Sequence, residues 1–254
     1  MPRIVPTVAE WRQLRAGYRA AGRTVGFVPT MGALHAGHAS LFQAARRDCA
    51  VVLASVFVNP TQFDEKHDFD LYPRMLDQDC ALMDQAGVDV VFAPSVAEMY
   101  PNGTHYAVTE NEFSRELCGA HRPGHFDGVL TVVLKLLQIA DAERAYFGEK
   151  DYQQLQLVRG LCTAFFLPTV IVPCPTVREA DGLAMSSRNA RLSPAERALA
   201  PQFHRVLASA PTATAATKEL AAAGFVVDYV DDREKRRYGA VRLGPTRLID
   251  NVPL

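Results

Sequence analysis

Two histidines three residues apart sit in the run Pro29-Thr30-Met31-Gly32-Ala33-Leu34-His35-Ala36-Gly37-His38. The run follows a short apolar stretch, Val25 to Val28, and leads into a helical pattern. One helical turn puts His35 and His38 on the same side. Amides at a helix N-terminus carry partial positive charge and suit phosphate, and the glycines let a ligand approach the backbone. An imidazole there can hydrogen-bond to phosphate oxygens or give a proton to a leaving pyrophosphate. Two capped or surface histidines would read the same way. A zinc pair would need a third ligand, and none lies nearby in the sequence. The strand-to-helix position favours phosphate.

A second group stands late in the chain, in Arg178-Glu179-Ala180-Asp181-Gly182-Leu183-Ala184-Met185-Ser186-Ser187-Arg188-Asn189. Asp181-Gly182 marks a turn. Ser186, Ser187 and Arg188 then set two hydroxyls and a guanidinium side by side, which can wrap a triphosphate. Alone, this run reads as an exposed loop. Paired with the early histidines, it points to a nucleoside triphosphate.

The elements that must position these groups alternate. A helix is expected from Thr7 to Gly22, where Thr7 and Glu10 form a capping box and Gly22 ends it. Strands are expected at Val25–Val28, Val51–Val58, Val88–Ala93, Ala145–Phe147 and Thr169–Val172. Helices are expected around Leu41–Cys49, Leu76–Ala86, Val129–Ile139 and Asp151–Phe165. In the last of these, Leu155, Val158, Leu161 and Phe165 share one face. Helices alternating with continuous apolar strands mean an α/β fold with a Rossmann-like parallel sheet. Ligands bind beyond the carboxyl ends of such strands, so chemistry is expected in the loops after Val28, Val58 and Phe147.

The last third differs. Ser193-Pro194-Ala195-Glu196 opens a helix running to about Ala208. Residues 208–217 read as a loose connection, Phe225–Val230 and Arg247–Asp250 as strands, and Asp231–Tyr238 as a solvated charged turn. A boundary near Val177 separates residues 1–177 from a smaller α+β domain, residues 178–254.

Composition narrows the class. The 254 residues carry 27 Lys and Arg against 28 Asp and Glu, a formal net charge of −1. That argues against a coat on nucleic acid or anionic lipid, though not against one small basic pocket. With 48% apolar and 22% charged residues, global disorder is excluded. No apolar run approaches the ~20 residues of a membrane span, and the N-terminus lacks a signal-peptide core. Five scattered cysteines without a Cys-x-x-Cys pair read as reduced thiols. A cytoplasmic protein acting on small molecules is expected.

An early His-x-Gly-His turn with a late Ser-Ser-basic loop resembles the nucleotidylyl-transferase superfamily, which holds ATP with an HxGH turn and a KMSKS-like loop. Six ordered motifs narrow the resemblance to the pantoate–β-alanine ligase family. They are Phe27 to Gly32, Phe57-Val58-Asn59-Pro60, Tyr72-Pro73-Arg74, Arg122-Pro123-Gly124-His125-Phe126, Phe147 to Leu155 and Asp181 to Asn189, and Arg247 to Asn251 is similar to the family's C-terminus.

The resemblance implies two steps. Pantoate carboxylate attacks the α-phosphate of Mg²⁺-bound ATP, giving pantoyl adenylate and pyrophosphate. The β-alanine amine then attacks the acyl carbon and releases AMP. By resemblance, Met31, Gly32, Ala33, Leu34, His35, Ala36, Gly37 and His38 line the ATP site, with His38 the proton donor and His35 a phosphate ligand. Gly148, Glu149, Lys150, Asp151, Val177, Met185, Ser186, Ser187 and Arg188 complete it, with Lys150 and Arg188 on the phosphates. Gln62 holds pantoate and β-alanine, and Gln154 holds pantoate. Asp151 also suits a plain helix cap. No protein ligand for Mg²⁺ is assigned, because Mg²⁺ keeps its waters and rides on phosphates. A homodimer is implied.

Three departures stand out. The C-terminal region is short, and Asp231–Tyr238 occupies a stretch where family members tend to be longer and less charged, at a cost to the rigidity of the C-terminal domain. Thr61 replaces the family's usual Met after Asn-Pro, which would loosen the pantoate site if that residue packs there. Asp77-Gln78-Asp79 splits the paired acids the family often shows. Another HxGH nucleotidylyl transferase and a non-catalytic nucleotide-binding relic are the competing readings. A relic would have lost His38, Lys150 or Arg188, and all three are present.

Overall fold

The computed structural model describes residues 1–63, 69, 70 and 72–254. Six strands pair in parallel, in the spatial order β1 (Arg3–Val5), β4 (Val90–Phe92), β3 (Val51–Val56), β2 (Val25–Thr30), β5 (Arg144–Gly148) and β6 (Val170–Cys174). The chain builds outward from β2 on one side, returns, and builds outward through β5 on the other. The strand order therefore reverses between β2 and β5, and that is where such sheets open a crevice at their carboxyl ends. β2 delivers the histidine run there, and β5 delivers Gly148 to Asp151.

Continuous burial explains the apolar strands. β3 is buried along nearly its whole length because helices cover both faces. Alternate residues feed opposite cores: Phe27 and Leu53 join Trp11, Leu130 and Leu155, while Val28 and Ala54 join Phe42, Met83 and Tyr146. Helices α1 (Val8–Ala20), α6 (His125–Ala140) and α7 (Tyr152–Ala164) cover the first face. Helices α2 (Ala36–Asp48) and α3 (Leu76–Gln85) cover the second, and the short α4 (Val96–Met99) and α5 (Cys118–His121) add Met99 and Cys118 to the first core. The five cysteines are buried and free.

The last third packs three helices, α8 (Pro194–Leu199), α9 (Pro201–Ser209) and α10 (Ala213–Ala222), on an antiparallel sheet. The sheet order is β7 (Val226–Arg233), β8 (Arg236–Leu243) and β9 (Thr246–Pro253). Phe203, Leu207, Leu220, Val241 and Leu248 form its core.

Several expectations need correction. The single helix after Ser193 is two, because Pro201 cannot donate to the preceding turn and starts a helix of its own. Residues 208–217 are not a loose connection: Thr212 Oγ1 accepts the Ala215 N–H and the alanines carry α10. Asp231–Tyr238 is not a solvated turn. The strands run to Arg233 and from Arg236, and Glu234 and Lys235, at φ +47° and +63°, alone make the bend. Arg237 is 1% exposed, pairs with Asp232 and donates to the carbonyls of Leu207 and Ala210. Phe165 lies beyond the end of α7 and is half exposed, so it leaves the face shared by Leu155, Val158 and Leu161.

Candidate active site

Between β2 and α2 the chain bends sharply. Gly32 has φ +80° and Ala33 φ +52°, and a Cβ on Gly32 would meet Asp79 Oδ2 at 2.8 Å. The Asp79 carboxylate, 3% exposed, accepts the N–H groups of Leu34 (2.8 Å) and Ala33 (3.1 Å). A buried carboxylate on α3 thus holds the turn through two charge-assisted hydrogen bonds.

His35 caps α2. Its Nδ1 accepts the Gly37 N–H (3.1 Å), and His38 Nδ1 accepts the His35 N–H (3.3 Å). With both Nδ1 atoms accepting, each ring proton belongs on Nε2. The ring centroids are 4.2 Å apart. Desolvation, then the neighbouring His35 and Lys150, push His38 down to about 3. Desolvation and Lys150 also lower His35. At neutral pH both rings are therefore neutral and can offer Nε2–H groups as hydrogen-bond donors. A polyphosphate beside them raises both pKa values.

Gly148 ends β5, and Glu149–Asp151 make one tight turn into α7. Lys150 Nζ lies 3.8 Å from the Asp151 carboxylate. Asp151 occupies the cap position of α7 but makes no cap hydrogen bond, so the expected capping role is not realised.

The late loop is braced before it reaches its functional residues. Arg178 bridges to Ala184, and the Met185 N–H donates to the Val177 carbonyl (3.0 Å). Arg197 clamps both Glu179 and Asp181, each at 2.6 Å. Asn189 donates to Glu179 (2.7 Å) and to the Ala184 carbonyl (3.1 Å). Ser186 Oγ accepts the Arg188 N–H (3.2 Å) and opens a short helical turn, Ser187–Arg191. Arg188 faces the cleft, where desolvation and the charge of Arg122 lower its pKa.

Gln62 ends the short turn Pro60–Gln62. Asn59, 1% exposed, donates to Gln62 Oε1 (3.1 Å), and Gln62 Nε2 donates to Met31 Sδ (2.8 Å). The Gln62 carbonyl receives His125 Nδ1 (2.9 Å) and Arg122 Nη2 (3.3 Å). Helix α6 lies flush on this turn: a Cβ on Gly128 would stand 2.1 Å from the Thr61 carbonyl oxygen. The Thr61 hydroxyl turns toward Asn59 (3.1 Å) and Tyr100 (3.4 Å), and Thr61 does not line the cavity described next. Gln154 reaches the cleft, whereas Gln153 is buried and spends its amide on Cys118, Phe113 and Glu116.

These pieces meet in one cavity of about 300 Å³. Met31, His35, Gly37 and His38 come from the first turn, and Gly148, Lys150 and Asp151 from the second. Gln62, Gln154, Val177 and Met185 to Arg188 complete the expected set. Gly32, Ala33, Leu34, Ala36 and Glu149 do not line it and serve as the backs of the turns. Residues given no role from sequence also line it: Tyr72, Arg122, His125, Arg191 and an apolar wall from α6, including Val129, Val132 and Val133. The Arg122 to Phe126 motif was a signal for two of them. Among the described lining residues, four cations (Arg122, Lys150, Arg188, Arg191) face one acid (Asp151), a local positive field in a chain of net charge −1. A cavity of about 350 Å³ between the two sheets adjoins it and shares Arg122, Lys150 and Gln154.

Known proteins match this chain throughout. The pantoate-beta-alanine ligase family model matches residues 3–253. A pantothenate synthetase of Bdellovibrio bacteriovorus is 52% identical over 244 residues, 96% of this chain and 95% of that protein. One from Coxiella burnetii is 45% identical over 253 residues, 100% of this chain and 97% of that protein. The crystal structure of pantothenate synthetase from Thermus thermophilus superposes with TM-score 0.90 at 44% identity, covering 99% of each chain. A Francisella tularensis pantoate-beta-alanine ligase, complexed with beta-gamma ATP and beta-alanine, superposes with TM-score 0.93 at 39% identity, covering 100% of this chain and 98% of that one.

Proposed function

The chain belongs to the pantoate–β-alanine ligase family, and from that premise we propose how its cleft carries out the ATP-dependent joining of pantoate to β-alanine. A pantoate carboxylate oxygen attacks the α-phosphorus of ATP, and the bond to pyrophosphate breaks. The β-alanine nitrogen then attacks the acyl carbon of pantoyl adenylate. The carbon–oxygen bond to AMP breaks, an amide forms and the amine proton is released. No covalent enzyme intermediate is needed, so positioning and charge stabilisation carry the rate.

One observation carries this assignment of roles: two imidazoles with free Nε2–H groups, two cations and two neutral amides line a single cavity. His35, His38, Lys150 and Arg188 hold the phosphates and stabilise the charge that grows on the leaving pyrophosphate. Gln62 and Gln154 hold the hydroxy acid without adding charge, and Gln62 also meets β-alanine. The apolar wall of α6 suits the two methyl groups of pantoate. Val177 and Met185 pack beside the nucleotide, and residues 178–254 form a lid domain that keeps water from the hydrolysable adenylate.

Mg²⁺ accompanies ATP and helps neutralise its phosphates. The described residues contain no group of three metal-ligating side chains, and the nearby Asp79 carboxylate is committed to two backbone amides. We assign Mg²⁺ to the nucleotide, whose phosphates it binds while keeping its waters, and route no step through a protein ligand. A homodimer is supported by the open edge of β6, beside which Phe166 is 93% and Val170 58% exposed. Five buried free thiols suit a reducing cytoplasm, and no described helix is long and apolar enough to cross a membrane.

The test is pantoate-dependent exchange of pyrophosphate into ATP, measured without β-alanine on the wild type and on His38→Ala. Exchange that collapses in the variant, and pantothenate formation when β-alanine is added, is expected. ATP binding without exchange would overturn the adenylate route.

A further inference from the structure

Strand β9 belongs to the small sheet, and two consecutive residues on it reach the two halves of the phosphate site. Successive side chains on a strand point to opposite faces, so one strand can hold a different neighbour on each side. Asn251 and Asp250 do this.

Asn251 is 4% exposed, and its Nδ2 donates to the carbonyls of Glu149 (2.8 Å) and Lys150 (2.9 Å). Its Oδ1 accepts from Arg236 Nη1, so both ends of the amide are engaged. Arg236 lies over the ring of Tyr152, 3.8 Å from its centroid, at the start of α7. The backbone that carries Lys150 is therefore fixed from the small sheet.

Asp250 is likewise 4% exposed and takes a two-pronged contact from Arg178, at 2.7 and 3.0 Å. His204 Nδ1 lies 3.2 Å away, and the Asn251 N–H donates at 2.8 Å. Arg178 also donates to the Gly182 carbonyl (3.2 Å) and bridges to Ala184, at the base of the loop that carries Ser186 to Arg188. The paired hydrogen bonds from Arg178 to Asp250 join this strand to the base of that loop.

We infer that Asn251 and Asp250 are positioning residues, and that β9 is the strut that sets the spacing between Lys150 and the Ser186–Arg188 loop. The assignment rests on the ligase reading for its phosphate ligand. Both residues line the adjoining cavity and not the one that holds the histidines, and their hydrogen bonds to the Glu149 and Lys150 carbonyls and to Arg178 are what tie them to the two loops. Misplacement of binding groups by about 1 Å is enough to cost a hundredfold.

The test uses the full chain with Asn251→Asp and Asn251→Ala. Asn251→Asp keeps the acceptor for Arg236 but turns an oxygen toward two carbonyls. Both variants are expected to raise KM and Kd for ATP ten- to hundredfold and to leave KM for pantoate within threefold. Thr246→Val, on the same strand, is the control and is expected to keep wild-type KM values. Unchanged ATP affinity in both Asn251 variants would overturn the inference. So would loss of both substrates in step with a fall in melting temperature, which marks general loosening. Calorimetric ATP affinity is read directly, so a wild type that binds ATP without exchange defeats the ligase reading and still leaves the strut testable.

Discussion

Asp79→Asn is the most informative single change at the histidine turn. The carboxylate of Asp79 accepts two backbone N–H groups, at 2.8 and 3.1 Å, in a nearly solvent-free position. Hydrogen bonds to a charged acceptor contribute about 1.5–3 kcal/mol each, against about 0.5–1.5 kcal/mol for neutral ones. An Asn amide has one oxygen, so one N–H faces either an NH₂ group or nothing, a loss of about 1–3 kcal/mol. Ala33, at φ +52°, holds a conformation that disfavours a residue with a Cβ by about 1–2 kcal/mol. Without the carboxylate the turn can relax out of that conformation. The Thr30 hydroxyl on Gly32 N–H (3.2 Å) and the histidine cap retain part of the turn. The net loss is about 2–4 kcal/mol. It falls on the ordering of His35 and His38, which ATP must restore when it binds. At about 1.4 kcal/mol per tenfold, ATP exchange should show KM for ATP raised roughly 30- to 1000-fold, with kcat less affected. Thermal denaturation in parallel separates this from unfolding. A KM for ATP within threefold of wild type would refute the assignment of Asp79 as the support of the turn.

Gly128→Ala places a methyl 2.1 Å from the Thr61 carbonyl oxygen, so α6 and the Gln62 turn must separate. KM for pantoate should rise at least tenfold with KM for ATP little changed, and steady-state kinetics with each substrate varied will check it. His38 is held down to about 3 against an ordinary 6.5. Between those values the unfolded chain binds a proton that the folded chain does not, so stability rises with pH across that window and levels off above it. The lowered His35 adds the same sign. Urea midpoints between pH 4 and 7 should climb more steeply for wild type than for His38→Asn. Equal slopes would contradict the desolvated placement of this ring.

Much of the candidate site's assembly into one cavity is legible in the sequence because its signals are local. The apolar strands ending at Thr30 and Gly148 read directly, and the parallel sheet sets their ends together at its reversal point. The spacing of His35 and His38 is a single turn, so its geometry needs no distant partner. What escapes depends on residues far away in the chain. Arg237 reads as a surface charge until Asp232 and two carbonyls from the end of α9 surround it. Asp79 reads as one of two helix acids until its partners, 45 and 46 residues earlier, are in place. The partners of the Thr61 hydroxyl are likewise hidden, because Tyr100 lies 39 residues further along the chain. The Ala- and Thr-rich run before Phe225 looks unstructured because its helix has only a narrow buried face, Ala216 and Leu220.

The adenylate route makes a prediction about a single oxygen atom. Pantoate labelled with ¹⁸O in both carboxylate oxygens loses one of them when the acyl carbon–oxygen bond to AMP breaks. Mass spectrometry of one complete turnover should find one label in the AMP phosphate and one in the amide carbonyl of pantothenate, with pyrophosphate unlabelled. Label in inorganic phosphate, or AMP without label, would contradict attack of the pantoate carboxylate on the α-phosphorus.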